Sequence, residues 1–197
     1  MLRGIYLLLL AVLPSRLKIE LLRLQGYNIS RKARIGLAWL DVRELSLAEG
    51  ARIGAFNVFK GIQKLAMGRN ASIGRFNQFT ANRHYMEIAG ASHGTVELAD
   101  AAVITMRHYF DCQSSLYVGE HSLVAGIRSV FFTHQKGIRS LHEAKAVHIG
   151  PWVYCCVVLP GTHEEEFALY SSPRVMMMKA LGEECAYFST ADPTARF

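Results

Sequence analysis

The chain has 197 residues, 51% of them hydrophobic and 19% charged, which is enough apolar mass for one domain and too little scattered charge for a disordered protein. Lysine and arginine outnumber aspartate and glutamate by 22 to 16, a formal excess of +6, yet no run of five basic residues occurs and the concentrated stripe of a nucleic-acid interface is missing. An anionic small ligand or an acidic membrane surface accounts for the excess as well. Four cysteines without a cleavable leader point to a reducing, cytoplasmic setting, and neighbouring Cys155 and Cys156 are poorly placed to bridge each other, so all four read as free thiols, with Cys155 as core filler.

The first element is an apolar run from Ile5 to Leu13, closed by Pro14. It falls well short of the ~20 residues that cross a bilayer. Beyond it Arg16, Lys18, Glu20 and Arg23 alternate with Leu17, Ile19, Leu21, Leu22 and Leu24 in a helical pattern that ends near Gly26. Residues 1–26 therefore read as an amphipathic helical segment. It has two competing uses: a cap on the open end of a stacked fold, or peripheral contact of residues 1–24 with the inner face of the membrane.

From Ile29 onward the chain keeps a six-residue apolar beat that changes phase several times: Ile29 and Ile35; Leu47, Ile53 and Phe59; Met67, Ile73 and Phe79; Leu98, Ile104 and Phe110; Val118, Val124 and Val130; Ile149 and Cys155. The residue after each beat is usually tiny, as at Gly36, Gly54, Gly74 and Gly119, and Ala33, Ala51, Ala71, Ala102 and Ser122 stand four after alternate beats. A helix repeats at 3.6 residues and a lone strand at 2, and neither locks small residues one position behind an aliphatic in every sixth place. Short parallel strands with tight corners, three hexapeptides to a coil, do. The aliphatic points inward, and the small residue sits where a side chain would clash or where φ > 0 is needed. Phase changes near Gly61 to Leu65 and His84 to Val96 mark insertions. The expected fold is thus mainly β, a triangular parallel β-helix over 27–178, with a protruding loop at about 133–147 and a short irregular or helical tail at 179–197.

The chemistry gathers after Val118. Two regular hexapeptides run to Thr133-His134, where the pattern breaks, and it returns at Val147-His-Ile-Gly150. A loop of that length, pushed out from a coil edge with a histidine at its root, is where a reaction centre belongs. Here the chain resembles the hexapeptide-repeat acyltransferases with a left-handed β-helix, and among them the sugar O-acetyltransferases of polysaccharide and O-antigen clusters. Ala125-Gly126, Ser129, Thr133-His134 and Ile149-Gly150 carry the likeness, with Leu159-Pro160-Gly161 and the closing Asp192-Pro193-Thr194-Ala195-Arg196, so it covers nearly the whole chain.

The resemblance implies a homotrimer with acyl-CoA, expected to be acetyl-CoA, lying as co-substrate in the groove between neighbouring subunits. It places His134 at the thioester as general base. Neutral imidazole, with a pKa near ~6.5, is well matched to taking the proton of an attacking hydroxyl. Asp111 matches an acidic position of this branch and either orients the imidazole or binds a sugar hydroxyl; an ordinary corner aspartate is the equal alternative. Tyr154, where relatives carry Trp, falls near the pantetheine, and Lys179 and Arg196 near the CoA phosphates, although either could be a plain solvated charge. The acceptor implied is a saccharide, a precursor of surface polysaccharide. No metal is expected: zinc carbonic anhydrases on such solenoids use two histidines five apart, a spacing missing here. His108, His121 and His148 read as solvated edge residues, with His148 a further candidate for lining the groove.

The last third departs from the family. Between Ile149-Gly150 and Leu159-Pro160-Gly161 the chain is roughly three residues short of the two hexapeptides of relatives, and the beat would turn Glu164, Tyr170 and Met176 inward. A carboxylate facing a dry core is costly unless paired. The alternative reading is accordingly a non-catalytic or degenerate β-helix acting as a scaffold or partner subunit.

Overall fold

The computed structural model describes residues 2–83, 93–133, 146–156, 180–181 and 184–185. Two helices, α1 (Leu2–Val12) and α2 (Ser15–Leu24), precede a long succession of short strands. These are β1 (Asn28–Ile29), β2 (Arg34–Ile35), β3 (Ala38–Leu47), β4 (Arg52–Ile53), β5 (Asn57–Met67), β6 (Ser72–Ile73), β7 (Gln78–Thr80) and β8 (Thr95–Leu98). They continue as β9 (Val103–Met106), β10 (Tyr109–Asp111), β11 (Leu116–Val118), β12 (Leu123–Ile127), β13 (Val130–Phe132), β14 (Val147–Ile149) and β15 (Tyr154–Cys156). A separate antiparallel pair, β16 (Ala180–Leu181) and β17 (Glu184–Cys185), follows.

Every pairing among β1 to β15 is parallel, and the chain is mainly β. The strands lie in three columns. The first runs through the front halves of β3 and β5 to β7, β10 and β13; the second through β1, the rear halves of β3 and β5, then β8, β11 and β14. The third holds β2, β4, β6, β9, β12 and β15. Because β3 and β5 belong to two columns at once, the nine-stranded sheet curls on itself.

The register explains why the apolar beat changes phase. Ile35 pairs with Ile53, Ile53 with Ile73 and Ile73 with Ile104, which are steps of 18, 20 and 31 residues. The circuit lengthens by one between Ile53 and Asn57 and by one more where Gly61 is inserted opposite the Asp41–Val42 step, and by more where 84–92 and 134–145 are inserted. The inward positions stay aligned regardless: Ile35, Ile53, Ile73, Ile104 and Val124 are all buried, as are Ala33, Ala51, Ala71, Ala102 and Ser122. In the first column Phe59, Phe79, Phe110 and Phe131 stack at 4.7 Å between successive ring centroids.

One beat is misplaced in the sequence reading. Val130 is exposed and Phe131 takes the inward place, paired with Phe110. The cause is a bulge in β12: Val124 pairs with Ile104 but Ile127 with Met106, so one extra residue enters around Gly126, whose φ is +87°. Everything after it slides by one.

The small corner residues are needed for close approach rather than for unusual φ. A Cβ on Gly119 would come 2.5 Å from the Gly150 carbonyl carbon and the Pro151 nitrogen of the next circuit, and one on Gly74 would run into the Thr105 carbonyl oxygen. Positive φ falls two residues further on and mostly on non-glycines, including Phe56, Phe76, Asn70, Arg107, His121 and Trp152. Each of these amides donates to the corner above it, as Phe76 N does to Ala55 O and Trp152 N to Glu120 O. Backbone pairing along the stack thereby holds a conformation that such residues rarely adopt alone.

The helices cover the first strand of each column. Leu10 of α1 and Ile19 and Leu22 of α2 join the same core as Ile29, Ile35 and Leu40. Ser15 Oγ accepts from Ile35 N at 2.9 Å. Lys18 is buried beneath them and donates to Ala11 O at 3.0 Å and Gly36 O at 2.5 Å; burial lowers its pKa to about 8. The capping use of this segment is thus realised. No described helix is long and apolar enough to cross a membrane.

Candidate active site

One corner of the stack, where the first column passes to the second, carries the polar chemistry. Three successive circuits turn there after β7, β10 and β13. The first and third carry the two long insertions, between Arg83 and His93 and between Thr133 and Ala146, while the middle one crosses directly through Cys112–Ser115. Asp111, Cys112, Gln113, Ser114 and Ser115 are all buried although four of them are polar. Buried polar atoms require partners, and the flanking circuits supply them.

On one side Asn82 N donates to Gln113 Oε1 at 3.0 Å, and Gly94 N donates to Ser114 O at 2.6 Å. On the other, Val147 N donates to Ser115 O at 2.8 Å and Ser114 N donates to Thr133 Oγ1 at 2.8 Å. Thr133 in turn directs both its N–H and its hydroxyl at Asp111 Oδ2, each at 3.3 Å. The Asp111 carboxylate, on an outward position of β10, therefore holds the residue immediately before His134. Burial, with the neighbouring Asp111 charge, pushes the Cys112 thiol well above its ordinary pKa; this free cysteine is packing, not a nucleophile.

Of the residues expected to act, Asp111 and Tyr154 are described. Asp111 lies at the end of β10 and accepts from both the N–H and the hydroxyl of Thr133. Tyr154 lies on β15, the last described strand of its column, 38% exposed and two residues beyond exposed Trp152. His134, Lys179 and Arg196 lie outside the described residues, as do Leu159-Pro160-Gly161, Glu164, Tyr170, Met176, the tip of the 133–147 loop and the Cys155 and Cys156 side chains.

The other histidines divide differently from expectation. His121 and His148 are exposed, stacked on Trp152 at 4.2 Å and on Tyr117 at 4.6 Å. His108 is not an edge residue but is 1% exposed, and it continues an internal ladder of Asn57, Asn77, His108 and Ser129. Asn57 Oδ1 accepts from Asn77 N, Asn77 Oδ1 from His108 N and His108 Nδ1 from Ser129 N. Thr105 Oγ1 gives its proton to Gly126 O and so accepts from His108 Nε2–H at 2.8 Å. Burial holds the ring neutral, with a pKa lowered to about 4. This histidine is structural.

The apolar beat does not mark Gln113, Ser114 and Ser115, nor the ladder as a unit. A signal for the ladder existed: Asn57, Asn77, His108 and Ser129 each precede an inward phenylalanine by two. Compared with known family models, curated proteins and solved structures, the chain matches none, so the functional reading rests on its own residues.

Proposed function

We propose that the chain is an acyl-CoA-dependent O-acyltransferase on a left-handed parallel β-helix, transferring an acyl group, expected to be acetyl, to a hydroxyl of a surface-polysaccharide precursor in the cytoplasm. The three-column register with its 18-residue first circuit supports the solenoid part of the reading. The observation that carries the chemistry is the Asp111–Thr133 pair at 3.3 Å, which anchors the chain directly before His134 at the root of the second long insertion.

In this reading the His134 imidazole takes the proton of the acceptor hydroxyl as its oxygen attacks the thioester carbonyl. The tetrahedral intermediate then collapses, the C–S bond breaks, and the CoA thiolate recovers the proton from the imidazolium. Asp111 is a positioning residue acting through Thr133. Tyr154 flanks the pantetheine, Lys179 and Arg196 meet the phosphates, and a homotrimer supplies the groove. No covalent enzyme intermediate is required.

The test is thiol release from acetyl-CoA with a panel of sugars and nucleotide sugars. Acceptor-dependent release that is abolished by His134→Ala, with the oligomer and the melting curve unchanged, is the expected outcome. Absence of both acceptor-dependent release and CoA binding by the purified protein would overturn the reading in favour of a non-catalytic scaffold.

A further inference from the structure

The helices that cap the stack have a second face. Leu10, Ile19 and Leu22 point into the core, but the opposite rows do not: Ile5, Leu9 and Val12 on α1 are 50%, 60% and 62% exposed, and Leu17, Leu21 and Leu24 on α2 are 58%, 41% and 83% exposed. Each row follows the i, i+4, i+7 spacing of one helix face. Capping accounts for the buried rows and leaves the outer ones unexplained.

Charge identifies what covers them. Residues 1–40 hold seven lysines and arginines against a single acid, Glu20, so the whole formal excess of +6 lies here and the remainder of the chain balances. Glu20 is itself engaged by Arg31 at 3.1 Å. Arg16 and Arg23 on α2 and Arg34 on β2 are exposed, while buried Lys18 is turned inward. We propose that α1 and α2 dock the protein on an anionic lipid surface, with the outer leucine rows inserted at the headgroup boundary and the arginines meeting lipid phosphates. At 11 and 10 residues the helices are too short to span and suited to lying in the interface. A second copy is the poorer occupant, because face-to-face contact would bring two like-charged segments together. The proposal is independent of the acyltransferase reading.

The test is flotation of the full chain with vesicles of phosphatidylcholine, alone or mixed with phosphatidylglycerol. Binding to the mixed vesicles is expected to weaken at least about tenfold without the anionic lipid or in high salt. The double variant Leu9→Ser/Leu17→Ser is expected to lose binding to a similar degree with its melting curve unchanged, since both side chains are exposed. Should that variant fold poorly, Arg16→Glu/Arg34→Glu is expected to lose binding to the mixed vesicles selectively. Equal retention on neutral and anionic vesicles, undiminished binding by the folded variants, or variants that change only the sedimentation of a self-associated form would each overturn it.

Discussion

Phe79 and Phe110 lie ring on ring, 4.7 Å between centroids and 5° from parallel, although a long insertion separates them in the chain. Each is fully buried in a row of four phenylalanines that continues with Phe59 and Phe131. Removing one ring leaves a cavity that the rigid circuits on either side cannot collapse into. Phe79→Ala is expected to cost about 3–5 kcal/mol in denaturant unfolding, and Phe79→Leu distinctly less. A loss under about 1 kcal/mol for the alanine variant would mean that the row is not close-packed.

The corner glycines allow a paired comparison. A methyl group at Gly74 would strike the Thr105 carbonyl oxygen, a backbone atom held by its own strand, whereas at Gly150 the nearest described atom is Val153 Cγ2 at 3.9 Å. Gly74→Ala is expected to destabilise by about 1–3 kcal/mol or more, and Gly150→Ala to be nearly neutral. Equal melting temperatures for the two variants would contradict close approach as the reason for small residues at these corners.

His108 ties stability to acid pH. Folded, burial keeps its ring neutral down to about pH 4; unfolded, it takes up a proton near its ordinary 6.5. Between those values the unfolded chain binds more protons, so stability falls as pH falls, by less than about 1.4 kcal/mol per pH unit. Asn57 and Asn77 fill the same ladder position in earlier circuits, so His108→Asn is expected to fold at neutral pH and to lose this acid sensitivity. Melting temperatures between pH 7 and 4 for both proteins decide it.

Lys18 acts in the opposite pH range. With the folded ammonium at about 8 and the unfolded one at 10.5, the unfolded chain again binds the extra proton in between, and stability rises with pH across that window. The difference in melting temperature between wild type and Lys18→Met is expected to move in the wild type's favour from pH 7.5 to 10. A difference independent of pH would show that the buried amine titrates normally.

Asp111 separates positioning from plain stability. Asparagine at 111 keeps an acceptor for Thr133, whereas alanine leaves the buried Thr133 N–H and hydroxyl without it, at a cost of about 1–3 kcal/mol. In the thiol-release assay Asp111→Ala is expected to lower kcat at least about tenfold with little change in KM for acetyl-CoA, and Asp111→Asn to recover most of it. Equal kcat values for alanine and wild type would remove Asp111 from the reaction.

Part of the candidate site was legible in the residues and part was not. The break in the beat at Thr133-His134 marks the root of the insertion because an apolar period must end where the chain leaves the stack. That Asp111 faces Thr133 was not legible, since the two are brought together only by the parallel register of β10 and β13. The buried run from Gln113 to Ser115 reads as an ordinary polar loop until the circuits above and below provide its partners.

The sequence alone determined the parallel, six-residue architecture and its core, because an inward position must be apolar in every circuit and the next residue must be small wherever two backbones meet. Tertiary structure decided the rest: which residue follows the bulge inward, that Phe131 and not Val130 completes the aromatic row, and that His108 is a neutral rung instead of a solvated edge. Those outcomes depend on pairing between segments some 20 to 31 residues apart, and only the folded register sets which backbone groups meet there.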